Sequence, residues 1–125
     1  MAKDEIKQWA EAYIRAQMAH GINTDHPDWW AIEQFMKVGQ YGPTVKESLD
    51  AILVVLALNP PNRVIAVLAA GPLEDLIANH GAEIIDEVER LARQNPMFKH
   101  LLGGVWESGK PEVWERVTAC RGEIW

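Results

Sequence analysis

One short segment of the chain, residues 71–81, concentrates residue types that could do chemistry. It contains Glu74, Asp75 and His80, and two carboxylates beside an imidazole could act as acid, base and orienting group around a pocket. A structural interpretation explains most of the same residues. The Gly-Pro pair can begin a helix, acidic side chains complement its N-terminus, and His80 with the following glycine can end it. We favour the structural interpretation, which does not explain why both acidic residues are present.

Two further pairs of carboxylates have a spacing that places each pair on one helix face. They are Glu47 with Asp50 and Glu83 with Asp86. All-helical nucleotide pyrophosphatases bind magnesium between helices that carry such pairs, so a magnesium-dependent pyrophosphohydrolase is the alternative hypothesis for function. Acidic pairs at this spacing are also common on solvated helix faces. We favour that interpretation and predict no metal and no other cofactor.

Two other groups of residues could bind or react, and both are more simply explained by structure. His20, Asp25, His26 and Asp28 lie close together in the first connection, where helix caps belong, so a metal site is not predicted there. Cys120 is the only cysteine. The sequence places no base beside it, and we expect a half-buried structural thiol.

Tryptophan is abundant, with 6 residues against 2 tyrosines and 2 phenylalanines. Trp29, Trp30 and Trp106 lie near predicted helix ends, and tryptophan is enriched both in small helical cores and in binding hot spots. Trp29 and Trp30 point about 100° apart on a helix, so one of them should be partly exposed. A binding site is therefore predicted at Trp29, Trp30, Glu74, Asp75, His80 and Trp106.

The elements that must position these residues are helices, because apolar residues recur at spacings of three and four almost throughout the chain. Proline and glycine pairs separate the periodic segments, and Thr44 with Glu47 is typical of a capping box. The second half of the third helix is apolar on all sides, which predicts enclosure by other helices. About eight helices are predicted, at residues 4–20, 29–38, 45–58, 63–70, 72–80, 82–94, 96–102 and 111–120.

The predicted fold class is all-α, with short helices packed as antiparallel pairs in a single domain, residues 1–125. Helices this short gain their stability from packing on neighbours. An armadillo or HEAT-like superhelix and an irregular orthogonal bundle both satisfy this requirement, and no repeated period decides between them. The predicted core contains Ile52, Leu53, Val55, Leu56, Ile84, Val88, Leu91 and Leu101.

Several motifs resemble those of a bacterial family of unknown function. In that family a Gly-Pro-Leu-Glu-Asp-Leu-Leu motif precedes a His-Gly pair and a Gly-Gly-Val-Trp ending. The corresponding residues here are Leu68–Ile77, His80-Gly81, Ile85–Glu89, Pro96-x-Phe98 and Leu102–Trp106. The resemblance covers about residues 49–117, extends to residues 28–35, and departs from the pattern at Ile77, Asn95 and Lys99. It implies a helical bacterial domain and no particular activity.

Charge and composition narrow the classes of partner. The net charge of -6 opposes binding to nucleic-acid phosphates or to anionic lipid. The longest apolar run, residues 51–58, is too short to span a membrane, and one cysteine suits the cytoplasm. We therefore expect a non-enzymatic module for protein–protein interaction, an adaptor or a toxin-neutralising protein. It would present a concave, acidic and aromatic surface, and a homodimer is compatible with this reading.

Overall fold

The computed structural model describes residues 1–19, 23–39 and 41–125. All regular structure in these ranges is helical, which confirms the all-α class. The predicted end of the first helix, at His20 and Gly21, lies outside the described residues. Seven α-helices and one π-helical turn are present in the described part: α1 Lys3–Met18, α2 Trp29–Met36, α3 Val45–Ala57, α4 Asn62–Leu68, the π-helical turn Ala69–Leu73, α5 Glu74–Gln94, α6 Pro96–Leu102 and α7 Pro111–Cys120. The chain divides into two compact units, Met1–Val64 and Ile65–Trp125.

In the first unit, α2 packs against α1 through aromatic side chains. The indole Nε1 of buried Trp9 donates a hydrogen bond to the carbonyl oxygen of Ala31 at 2.9 Å. The ring of Phe35 lies 4.4 Å from that of Trp9 and 5.1 Å from that of Tyr13, measured between centroids. These contacts bury the large aromatic groups and satisfy the indole N–H.

The third helix of this unit begins where the sequence predicts. The Thr44 hydroxyl accepts from the Glu47 backbone N–H at 3.0 Å, and the Glu47 carboxylate accepts from the Thr44 N–H at 2.8 Å, which confirms the capping box. The predicted enclosure of the apolar run is only partly correct. Ile52, Val55 and Leu56 are buried, but Leu53 is half-buried and Leu58 is 39% exposed.

In the second unit, α5 replaces the two helices predicted at 72–80 and 82–94. The predicted break at Gly71-Pro72 is instead the π-helical turn, which connects α4 to α5 without leaving the helical path. Proline lacks an N–H and clashes with the carbonyl four residues earlier, and the wider π turn accommodates it. The predicted end at His80 is a kink, where φ is -134° and ψ is 21° within a helix that continues.

Gly81 was expected to cap a helix, but it lies inside α5 and is buried against α7. A Cβ at this position would lie 2.8 Å from Cγ1 of Val113. The two helices run in the same direction, since Gly81 lies beside Val113 and Glu89 pairs with Arg116 at 2.5 Å. The glycine is therefore needed for the close approach of two helices rather than for a helix end.

The glycine pair after α6 ends that helix, as predicted, and also makes room for the last residues of the sequence. A Cβ on Gly103 would lie 1.9 Å from the carbonyl oxygen of Glu123, and one on Gly104 would lie 2.4 Å from the Trp125 ring. Trp125 donates from Nε1 to the His100 carbonyl at 2.7 Å and stacks on the His100 ring at 5.2 Å. The segment after α7 is thus packed onto the end of α6.

Candidate functional site

Glu74 links two segments that are far apart in the sequence. It is the first residue of α5, and its Oε1 accepts a hydrogen bond from the backbone N–H of Trp106 at 3.0 Å. The acceptor belongs to the Gly-Pro-Leu-Glu-Asp motif and the donor to the Gly-Gly-Val-Trp motif. The two motifs therefore meet in space, and the glutamate holds the loop between α6 and α7.

The expected role of Glu74 and Asp75, to complement a helix N-terminus, is wrong for this geometry. The backbone N–H of Glu74 is directed at the carbonyl oxygens of Ala69 and Gly71 in the π-helical turn. Because the helical path is continuous here, α5 does not begin with the set of unpaired N–H groups that acidic side chains stabilise. Another reason is needed for the acidic pair, and the contact with Trp106 supplies it for Glu74.

The loop that carries Trp106 has a fixed backbone and an exposed aromatic side chain. The N–H of Gly104 donates to the Leu101 carbonyl at 3.0 Å, the N–H of Val105 donates to the Leu102 carbonyl at 3.2 Å, and the next N–H donates to Glu74. Val105 is buried, whereas Trp106 is 77% exposed. The fold thus orders this backbone and leaves the indole in solvent.

Two further carboxylates are the sequence neighbours of the residues that form this hydrogen bond, and neither has a side-chain partner in the part of the chain that the structure describes. Asp75 follows Glu74, and its pKa is raised by partial burial and, to a smaller extent, by the charge of Glu74. Glu107 follows Trp106 and is exposed. We call Glu74, Asp75, Trp106 and Glu107 the Trp106 surface. Glu107 was not singled out from the sequence, where its only signal is its position next to the tryptophan.

His80 lies at a different place on α5. It lines a cleft of about 220 Å³ at the kink, together with Asn79, Glu83 and Lys110. Its Nδ1 is 4.0 Å from Oε1 of Glu83. Glu74 and Asp75 do not line this cleft, so the arrangement of acid, base and orienting group that the motif suggested is not assembled around one pocket.

The remaining predicted binding residues, Trp29 and Trp30, lie in the first unit on α2. Trp30 is 45% exposed and Trp29 is half-buried, in agreement with the expectation that one of them is partly exposed. Asp28, just before them, accepts from the Arg15 guanidinium at 3.1 Å, and this contact lowers the pKa of its carboxyl group. This ion pair links the residue before α2 to α1 at the surface.

The four carboxylates of the alternative metal hypothesis have contacts of their own. Glu47 belongs to the capping box and also contacts the amino group of Met1. Lys46 pairs with Asp50 at 3.1 Å, and Arg116 pairs with Asp86 at 2.6 Å. Glu83 is the neighbour of His80 described above. Within residues 1–19, 23–39 and 41–125, no three histidine, cysteine or acidic residues form a group suited to a metal ion.

The regular structure of the described residues is helical, and the second unit exposes Trp106 on a loop with a hydrogen-bonded backbone. The chain belongs to a family of unknown function (DUF6869), whose model matches residues 18–124. Membership of a family of unknown function is consistent with the kind of family that the sequence resembles. No curated protein and no solved structure matches the chain. None of the described helices has the length and apolar character needed to cross a membrane.

Proposed function

We propose that this protein is a non-enzymatic interaction module, of the adaptor or toxin-neutralising kind, that binds a partner protein through the Trp106 surface. One observation carries the proposal. Trp106 is 77% exposed, although its own backbone N–H is held by the carboxylate of Glu74 at 3.0 Å. Trp29, Trp30 and His80 are not part of this surface.

The energetics of association favour such an arrangement. Tryptophan contributes strongly to binding when its large ring enters a pocket of a partner. A loop that is already ordered loses little conformational entropy on binding, and this increases affinity. An indole left in solvent on an ordered loop contributes little to the stability of the isolated fold, so a role in binding accounts for it better than a role in the core.

Site-specific photo-crosslinking tests the proposal in the cell. The photoreactive residue p-benzoylphenylalanine would replace Trp106 in one variant and Thr118 in a control variant, because Thr118 is also exposed in the second unit. We expect one discrete crosslinked protein from position 106 and none from position 118. The captured protein would then be purified and identified.

Binding of the purified partner completes the test. We expect Trp106→Ala to weaken its affinity by at least about thirtyfold, since hot-spot residues contribute about 2 kcal/mol or more. Thr118→Ala should leave the affinity unchanged. The proposal is wrong if position 106 yields no discrete product, or if the alanine variant binds the captured protein as tightly as the original chain.

A further inference from the structure

We infer that the partner segment at the Trp106 surface is basic. An arginine or lysine side chain of the partner would stack on the Trp106 indole and pair with the carboxylates of Asp75 and Glu107. This inference rests on the proposed function and specifies the chemistry of the partner.

The two segments that meet at the contact between Glu74 and Trp106 carry acidic charges only, and the next charged residue in the sequence, Lys110, lines the cleft beside His80. Residues 72–77 and 103–109, the two segments joined by the hydrogen bond between Glu74 and Trp106, contain three carboxylates and no lysine or arginine. The whole chain carries a net charge of -6. Complementary charge directs association and selects partners, so this surface favours a cationic segment and disfavours an acidic one.

The carboxylate of Asp75 is in an unfavourable environment in the free protein. Asp75 is exposed at the surface, and partial desolvation of its carboxyl group together with the charge of the adjacent Glu74 raises its pKa. No side chain in the described ranges forms an ion pair with it. A cation from a partner would relieve the repulsion between the two acidic residues, because opposite charges at short range stabilise the ionised form.

The indole of Trp106 could bind the same cationic side chain through the face of its ring. A guanidinium or ammonium group is attracted to the face of a tryptophan ring, and guanidinium also stacks on it and pairs with carboxylates. This chain already contains such a contact, since the guanidinium carbon of Arg121 lies 5.5 Å from the centre of the Trp114 ring. Trp106 has no comparable cation among the described residues.

A random-peptide phage library tests the inference without assuming a partner sequence. The library would be selected on the full chain after peptides that bind Trp106→Ala have been removed. We expect the remaining peptides to be enriched in arginine and lysine. For one such peptide, replacing its arginines with citrulline, which is neutral and of similar shape, should weaken binding by about tenfold.

Charge variants of the protein locate the contact. Asp75→Asn and Glu107→Gln should each weaken binding of the selected peptide by about two- to fivefold, as expected for exposed ion pairs. Glu115→Gln is the matched control, because Glu115 is an exposed carboxylate on α7 and should have no effect. Raising the ionic strength should weaken binding of the original chain more than binding of the Asp75→Asn variant.

The inference is overturned if no peptide depends on Trp106, if the enriched peptides lack cationic residues, or if the citrulline peptide binds equally well. It is also overturned if Glu115→Gln weakens binding as much as the two surface variants do. These results are distinct from failure of the proposed function. If a partner crosslinks at position 106 through a neutral or acidic segment, the proposed interaction module stands and the inference of a basic partner segment is wrong.

Discussion

At the scale of single residues, two adjacent acidic side chains have different roles. The carboxylate of Glu74 accepts the Trp106 N–H and holds a loop. The carboxylate of Asp75 has a raised pKa and no side-chain partner in the described ranges. Their adjacency in the sequence suggests one shared role at a helix end, but the structure gives a structural role to Glu74 alone, and a role of Asp75 in binding is a proposal.

Removing the Glu74 carboxylate should release the Trp106 loop. We expect Glu74→Ala to lower the free energy of unfolding by about 1 kcal/mol, since one hydrogen bond to a charged acceptor is lost. Glu74→Gln should cost less because its amide oxygen can still accept. Hydrogen exchange by NMR should show faster exchange of the Trp106 amide in the alanine variant.

Glu83→Ala is the control for this measurement, because Glu83 is an exposed acidic residue on the same helix. It should leave the Trp106 amide unchanged. Equal protection of that amide in Glu74→Ala and in the original chain would show that the contact does not order the loop.

Asp75→Asn should not destabilise the fold, in contrast to Glu74→Ala. The pKa of Asp75 is raised in the folded state, which means that the folded protein favours the protonated carboxyl group over the ionised one. The resulting stabilisation is fully present below the pKa of the unfolded chain and is lost as the pH rises through the pKa of the folded protein. At neutral pH the asparagine variant should therefore be as stable as the original chain or slightly more stable. Its advantage should disappear as the pH falls below the usual aspartate range. Urea unfolding at several pH values measures this, and an asparagine variant that is less stable at neutral pH would contradict it.

The capping box of Thr44 and Glu47 could be predicted from sequence because its two partners are three residues apart and their contact is local. The contact between Glu74 and Trp106 could not, because its partners are 32 residues apart and only the folded backbone brings them together. For the same reason Glu107 was missed. Its proximity to the acidic residues of α5 depends on the loop and not on any pattern of spacing.

At the scale of helices, proline and glycine marked the correct positions but indicated the wrong structures. Gly71-Pro72 predicts a break because proline removes a helical hydrogen bond, but the π-helical turn lengthens the hydrogen-bonded ring and keeps the path helical. His80-Gly81 predicts a helix end, but the glycine instead allows α7 to approach. Periodicity identifies helical segments reliably, whereas it does not tell a kink from an end.

Gly81→Ala distinguishes the two explanations for this glycine. Helix propensity alone would make alanine more stable by about 1 kcal/mol inside a helix. The structure predicts a loss of about 1–3 kcal/mol, because the new methyl group would lie 2.8 Å from Val113 Cγ1 and the buried valine must move. Thermal and urea unfolding measure the difference.

A double-mutant cycle with Val113→Ala checks the cause of that loss. The smaller side chain should accept the new methyl group, so Gly81→Ala should cost less in the Val113→Ala background than in the original chain. If the cost is the same in both backgrounds, the contact between α5 and α7 is not what requires glycine.

At the scale of the whole molecule, the predicted core residues are buried in their own units, with the exception of half-buried Leu53. Ile52, Val55 and Leu56 belong to Met1–Val64, and the remaining four, Ile84, Val88, Leu91 and Leu101, belong to Ile65–Trp125. Apolar periodicity identified these residues because each lies on the inner stripe of a helix. The grouping into two units was not predictable from periodicity, which reports the inner face of each helix and not the helix that covers it.

Single-domain behaviour remains a prediction, and unfolding tests it. Each unit contains about sixty residues, a size at which a domain buries only about 60% of its unfolded surface and is marginally stable by itself. We therefore expect one cooperative transition for the whole chain. Leu56→Ala in the first unit and Leu101→Ala in the second should each lower the free energy of that transition by about 2–5 kcal/mol, since both side chains are buried.

Leu58→Ala is the matched control for these two variants, because Leu58 is 39% exposed and its truncation should cost far less. Circular dichroism would follow total helix content, and the NMR signals of the buried Trp9 indole and the half-buried Trp114 indole would report on the two units separately. Coincident transitions for all signals in every variant would establish one cooperative domain. If Leu56→Ala unfolds the surroundings of Trp9 while the Trp114 signal keeps its original transition, the two units are separate domains, because destabilising one would leave the other folded.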